Sequence, residues 1–147
     1  MSNAKCLGQI ATLCVALLLG ARTLKASRNG IPPEVDSLIA TFSDDLAEGR
    51  YEKIYNDAAD EWRRDATPEQ SNKVFETLKN KLGKPGNRVL NSASEQNSSN
   101  GQLAGHSFVL MYETRFERGE GMETFTLVER NGHWLLARYF VNSTALK

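Results

Sequence analysis

The chain has 147 residues, of which 40% are hydrophobic and 24% are charged, with 18 basic and 18 acidic residues. This length suits one globular domain of ordinary composition, and the balanced charge, with no basic stripe, excludes nucleic acid as an expected partner. The two cysteines, Cys6 and Cys14, both lie near the N-terminus, so no disulfide framework is expected in the rest of the chain.

The N-terminal region contains an apolar run from Ile10 to Ala21, with Lys5 before it and Arg22 after it. The run suits a signal peptide and is shorter than the roughly 20 residues that span a bilayer. We expect residues 1–26 to be an export signal, which predicts a periplasmic or secreted protein. An uncleaved membrane anchor is the alternative. Without residues 1–26 the chain has a net charge of −3 and no cysteine.

Residues 27–33 are predicted to be a linker, and residues 34–147 a single domain that begins with three helices. The first helix has apolar residues at helical spacing and ends at Gly49. A second, shorter helix follows, and a third opens at the capping box Thr67 to Gln70 and ends at Gly83. The apolar residues of the first helix are Val35, Leu38, Ile39, Phe42 and Leu46, and those of the second are Tyr51, Ile54, Tyr55, Ala58 and Trp62. The third helix is expected to bury Val74, Phe75, Leu78 and Leu82.

Four antiparallel strands are predicted after the helices, beginning with a weak edge strand at Arg88 to Glu95. Asn131-Gly132, between two runs rich in aromatic and branched residues, is typical of a type I′ hairpin turn. Its register pairs Glu129 with Trp134, Leu127 with Leu136, Phe125 with Arg138 and Glu123 with Phe140. A second turn is predicted around Gly119-Glu120, which pairs Tyr112 with Leu127. The fold class is therefore α+β, with three N-terminal helices packed on a curved four-stranded antiparallel sheet.

Side chains alternate across a strand, so this register assigns residues to two faces of the sheet. The predicted inner face is rich in aromatic residues and is expected to pack against the helices. It comprises Phe108, Leu110, Tyr112, Phe116, Phe125, Leu127, Trp134, Leu136 and Phe140. The predicted outer face comprises Val109, Met111, Glu113, Arg115, Thr124, Thr126, Val128, Leu135, Ala137, Tyr139 and Val141.

A resemblance to a known superfamily rests on these features together. They are the Gly49-Arg50-Tyr51 junction, the helix end at Leu82-Gly83-Lys84, the long strand from Phe108 to Phe116, and Gly132-His133-Trp134 in the last hairpin. Over residues 34–145 the chain resembles the nuclear-transport-factor-2-like superfamily, in particular its small exported bacterial domains of unknown function. The resemblance implies a cone-shaped, cystatin-like fold, a pocket at the wide end and a dimer through the outer sheet face.

Polar residues on the predicted inner face suggest two interpretations. Glu123 and Arg138 form an ion pair that closes the cone, or Arg138 binds an anionic group in a pocket with apolar walls, because a buried charge needs a partner or water. The candidate residues of that pocket are Tyr112, Thr114, Glu123, Trp134, Arg138 and Phe140.

The predicted outer face favours an interaction role, because contiguous exposed apolar residues usually form an interface. A homodimer is the simplest partner, and a monomer with a weakly apolar surface is the alternative. The candidate interface residues are Val109, Met111, Val128, Leu135, Tyr139 and Val141.

Enzyme signatures such as a P-loop, G-x-S-x-G or H-E-x-x-H do not occur in the sequence. His106 and His133 are predicted on opposite faces, so no metal site is expected, and no cofactor or catalytic residue is assigned. We predict an exported binding or scaffolding module with no membrane contact beyond an uncleaved N-terminal segment. The alternative, which the resemblance to the superfamily implies, is an isomerase-like or dehydratase-like enzyme that uses Glu123 with Tyr112 or Tyr55 and a small-molecule substrate.

Overall fold

Four α-helices precede four strands in the computed structural model, which describes residues 30–147. The predicted export signal, residues 1–26, lies outside the described residues. Across the described range, no helix has the length and apolar character needed to cross a membrane. The elements are α1 Pro33–Glu48, α2 Tyr51–Asp57, α3 Asp60–Asp65, α4 Pro68–Leu82, β1 Pro85–Ser98, β2 Gly105–Phe116, β3 Gly119–Arg130, β4 His133–Asn142 and a 3-10 turn at Thr144–Leu146.

The ends of α1 and α4 are set by local sequence. Gly49 ends α1 in the left-handed conformation, at φ 77°, which glycine adopts without steric cost. Thr67 begins α4 with the predicted capping box: its hydroxyl accepts from the Gln70 amide, and the Gln70 side chain accepts from the Thr67 amide. These two boundaries confirm the prediction from the sequence.

The predicted second helix is divided in two. Ala58 and Ala59 have extended backbone, with ψ of 161° and 159°, and they separate α2 from α3. The Ala59 amide donates to the Leu136 carbonyl of β4 at 2.9 Å. The Ala59 amide therefore bonds to the edge of the sheet instead of to a carbonyl within a continuous helix. The prediction of a single second helix is wrong.

The sheet is an open antiparallel sheet in the order β1-β2-β3-β4, which confirms the predicted α+β class. The turn between β2 and β3 consists of two residues, since Phe116 pairs with Gly119 and Tyr112 with Glu123. The predicted pairing of Tyr112 with Leu127 is wrong by four residues. An even shift leaves every side chain on its predicted face, because the side-chain period of a strand is two.

The hairpin at Asn131-Gly132 is confirmed, with φ of 54° and 78° at the two turn residues. Further along, Leu127 pairs with Leu136 but Thr126 pairs with Arg138, so Ala137 is an additional residue in β4. Such a bulge exchanges the faces of all the residues that follow it.

Because of the bulge at Ala137, the predicted pairing of β3 with the second half of β4 is wrong. The pairs Phe125 with Arg138 and Glu123 with Phe140 are wrong, since Phe125 pairs with Tyr139 and Glu123 with Val141. The side chains of Tyr139 and Val141 turn inward, and those of Arg138 and Phe140 turn outward.

The core lies between the inner sheet face and the helices. Phe42 of α1 is its central contact, with ring centroids 5.6 Å from Phe125, 4.6 Å from Tyr139 and 6.1 Å from Phe75 of α4. Edge and tilted ring contacts of this kind add to the burial of the rings. Phe42 therefore joins the sheet to both long helices.

Candidate functional site

The centre of the domain contains a buried carboxylate that accepts hydrogen bonds from three side chains. Glu123 is 0% exposed. Arg88 donates to both of its oxygens, with Nη2 2.9 Å from Oε1. The hydroxyls of Thr114 and Tyr139 donate to Glu123 at 2.5 and 2.6 Å. Arg88 also donates to Ser43 of α1 at 2.5 Å, so this group joins all four strands and one helix.

The ionisation of this centre follows from its burial and its charges. Burial alone lowers the pKa of Arg88, but the hydrogen bonds and charge of Glu123 outweigh burial and raise that pKa above its ordinary value. Burial, together with the charge of Glu123, raises the pKa of Tyr139 well above 10. Both groups therefore stay protonated at physiological pH. Glu123 has its oxygens occupied by donors, an arrangement that favours a structural role over proton transfer.

The predicted Glu123–Arg138 ion pair is wrong. Arg138 lies on the outer face, where it donates to Gln102 at 2.7 Å and lies 3.6 Å from Asp65. Glu123 is paired as expected, but with Arg88. The signal for Arg88 was its place beside Val89 and Leu90, since a cation in a half-apolar strand points to a buried partner.

A groove of about 900 Å³ runs between α4 and β4. Val74 of α4 and Phe140 of β4 both line it and are 53% and 64% exposed. The prediction that α4 buries Val74 is therefore wrong. Apolar side chains that are left this exposed on two neighbouring elements are consistent with a binding surface.

The six predicted pocket residues are not brought together. Arg138 and Phe140 line the groove beside α4. Thr114 and Glu123 belong to the buried centre, with Tyr112 at its side, where its ring lies 5.9 Å from Phe125. Trp134 lies apart from them, with ring centroids 5.3 Å from Phe108 and 4.9 Å from His106.

His106 contacts two carboxylates from the neighbouring strands. Its Nε2 lies 2.6 Å from Glu95 of β1, and its Nδ1 lies 2.8 Å from Glu129 of β3. The hydrogen bonds to Glu129 and Glu95 raise the pKa of His106 above 6.5. An imidazolium in this position donates to both acids and ties three strands together. Within residues 30–147 no group of three acidic, histidine or cysteine residues could hold a metal ion.

The six predicted interface residues also divide. Val109 and Met111 lie on the outer face and are partly buried. Val128 is buried, with Leu135 partly buried beside it, under a small cluster that includes Ala59 and Leu103. The remaining two, Tyr139 and Val141, face the core because of the bulge.

Two residues that the sequence did not single out, Val89 and Met122, and Phe140, which was predicted on the inner face, complete the outer face. Val89 is 56% exposed and pairs with Glu113, which pairs with Met122. Met111 pairs with Thr124, which pairs with Phe140. We refer to Val89, Val109, Met111, Met122 and Phe140 as the outer patch.

A second cavity, of about 650 Å³, lies beside α3 and the β3–β4 turn and is lined mainly by charged residues. Arg130 donates to the buried Glu61, and Arg63 donates to Asp60 at 2.5 Å. Burial raises the pKa of Glu61, but its hydrogen bonds and the charges of Arg130 and Arg64 together outweigh burial and lower that pKa overall. These charges satisfy one another only in part, since Oε2 of Glu61 is buried and has no hydrogen-bond partner among the described residues.

The structure thus defines an α+β domain with a buried ion-pair centre, an apolar groove and a partly apolar sheet face. Residues 41–139 match the family described as protein of unknown function DUF4019. The match covers about two thirds of the chain, which therefore belongs to this family. A comparison with curated proteins finds no significant match.

Proposed function

We propose that this domain is a binding module of the nuclear-transport-factor-2-like type, which forms a homodimer through the outer patch. The observation that carries the proposal is the exposure of apolar side chains on the outer sheet face. Among the described residues, three large hydrophobic side chains are more than half exposed, and Val89 and Phe140 of the outer patch are two of them. Exposed apolar groups on a sheet face are stabilised when a second surface covers them.

The distribution of these residues suits contact with a second copy. Val89 lies on β1 and Phe140 on β4, which form the two edges of the sheet. A two-fold axis parallel to the strands stacks two such sheets face to face, with β1 of one copy over β4 of the other. Phe140 of one copy then lies near Val89 of the other, with Met111 and Met122 between them.

Charge on the outer face is compatible with this pairing. Glu113 and Arg115 are both exposed there, so the face carries both signs and does not repel a second copy of itself. Glu113 pairs with both Val89 and Met122 and therefore lies within the outer patch, so its carboxylate must pair with a cation or stay hydrated in the dimer.

The buried centre favours a binding module over an enzyme. Glu123, the acid of the alternative enzymatic interpretation, is fully buried and bonded to Arg88, Thr114 and Tyr139. A general base needs a free lone pair within reach of a substrate proton. Export to the periplasm or the outside of the cell remains a prediction from residues 10–21.

Sedimentation equilibrium of the purified protein tests the proposal. We expect a monomer–dimer equilibrium at micromolar concentrations. Val89→Glu should weaken it at least about tenfold, because each dimer would bury two carboxylates without partners. Val74→Glu is the matched control: it places the same charge on an equally exposed valine of α4, outside the outer patch, and should leave the dimer unchanged. A monomeric wild-type protein, or equal effects of the two substitutions, would contradict the proposal.

A further inference from the structure

The groove between α4 and β4 has the features of a small-molecule site, and it adjoins the outer patch at Phe140, which belongs to both. We propose that it binds a single-chain carboxylate, that is, an unbranched alkyl chain that ends in a carboxylate group. The alkyl chain lies between Val74 and Phe140, and the carboxylate pairs with Lys73 at the rim.

The apolar part of the proposal rests on the lining of the groove. Trp62, Leu78 and Val141 also line it, and all three belong to the main core. The volume of about 900 Å³ is within the range of small-molecule sites, roughly 300–1,000 Å³. An alkyl chain in the groove would cover the exposed faces of Val74 and Phe140, and their removal from water favours binding.

The anionic part rests on the charges at the rim. Three charged residues line the groove, Lys73, Arg138 and Asp65. Arg138 and Asp65 face one another at 3.6 Å, whereas no carboxylate within residues 30–147 forms an ion pair with Lys73. One positive charge is therefore in excess beside the apolar surface. A carboxylate complements that charge, and a cationic amphiphile would be repelled by it.

Isothermal titration calorimetry with dodecanoate, below its micellar concentration, tests the proposal directly. We expect saturable binding of one molecule for each chain. Dodecanol, which has the same chain without charge, should bind about two- to fivefold more weakly, since an exposed ion pair contributes modestly. Dodecyltrimethylammonium should bind more weakly still.

Two pairs of variants locate the site. Val74→Glu should weaken dodecanoate binding at least about tenfold, because it adds a charge to the apolar lining. Its matched control, Val89→Glu on the outer patch, should leave binding unchanged when both proteins are titrated at concentrations where the wild-type protein is monomeric, so that Phe140 is uncovered in each. Lys73→Ala should remove the preference for dodecanoate over dodecanol, whereas Lys84→Ala, at an exposed lysine outside the groove, should retain it.

Several results would overturn the proposal. They are no binding of dodecanoate below its micellar concentration, equal binding of dodecanoate and dodecyltrimethylammonium, and unchanged binding in Val74→Glu. Because the dimer is tested with Val89→Glu and the ligand with Val74→Glu, failure of either proposal can be recognised without the other.

Discussion

Glu123 is buried and Arg88 is largely buried, and at either position a charge without a partner would strongly destabilise the fold. A charge taken out of water costs several kcal/mol, and a nearby opposite charge compensates for it only when the hydrogen bonds are also complete. Here the pair is completed by Thr114, Tyr139 and Ser43. Each side chain comes from a different element, so the network forms only when the whole domain is assembled.

The first prediction concerns the loss of Glu123, the charged partner of Arg88. Glu123→Ala should lower the free energy of unfolding by about 3–5 kcal/mol, because Arg88 is left buried without its counter-charge. Adding Arg88→Met should recover part of the loss, since the uncompensated charge is then removed. Urea denaturation of both variants measures these differences. If Glu123→Ala unfolds like the wild-type protein, the pair does not stabilise the fold.

A second prediction concerns His106 and pH. The pKa of His106 is raised above 6.5 by Glu129 and Glu95 in the folded state, so the folded protein binds the proton more tightly than the unfolded chain does. Protonated His106 therefore stabilises the fold fully below pH 6.5, the ordinary pKa of histidine. This stabilisation is lost as the pH rises through the raised pKa of His106 in the folded protein. The Tm difference between the wild-type protein and His106→Gln should become smaller as the pH rises from 6.5 through the raised pKa of His106. A difference that grows with pH would contradict the assigned contacts.

At the scale of the elements, the bulge at Ala137 determines which residues reach the core. Without it, Phe140 would point inward and Tyr139 outward. The Ala59 amide donates to Leu136, the residue just before the bulge. The break between α2 and α3 and the irregularity of β4 therefore occur at the same point of contact.

Local signals explain which elements could be predicted. The hairpin at Asn131-Gly132 and the capping box at Thr67 depend on neighbouring residues alone, and both were predicted from the sequence. The bulge at Ala137 and the break at Ala58-Ala59 lie where two distant segments meet, and no neighbouring residue specifies them. The predicted faces were therefore correct up to Leu136 and reversed beyond it.

The third prediction tests the cap of α4. Thr67→Ala removes the hydroxyl that accepts from the Gln70 amide and should cost about 1 kcal/mol of stability. Thr77→Ala is a control in the same helix: Thr77 is exposed and its hydroxyl donates to the Lys73 carbonyl, so its replacement should be neutral or slightly stabilising. Thermal denaturation compares the two. Equal losses of stability would show that the cap has no special role.

At the scale of the whole molecule, the candidate surfaces depended on the tertiary contacts. The sequence indicated an apolar outer face and a charged group within the sheet, and both occur. The residues differ from those predicted. The largely buried cation is Arg88, which lies on the strand predicted to be a weak edge strand, and Val128 is covered by Ala59 and Leu103 instead of being exposed. The groove beside α4 was not predicted, because it exists only where α4 and the edge of β4 lie side by side.

The central functional proposal is that two copies pack through the outer patch. An isotope-filtered NMR experiment on a mixture of labelled and unlabelled protein measures contacts between copies alone. We predict cross-peaks between the Phe140 ring of one copy and the Val89 methyl groups of the other, and their loss in Met111→Lys at concentrations where the wild-type protein is dimeric. Contacts between copies that involve Val74 and omit Val89 would contradict the proposal, since they would place the interface at α4.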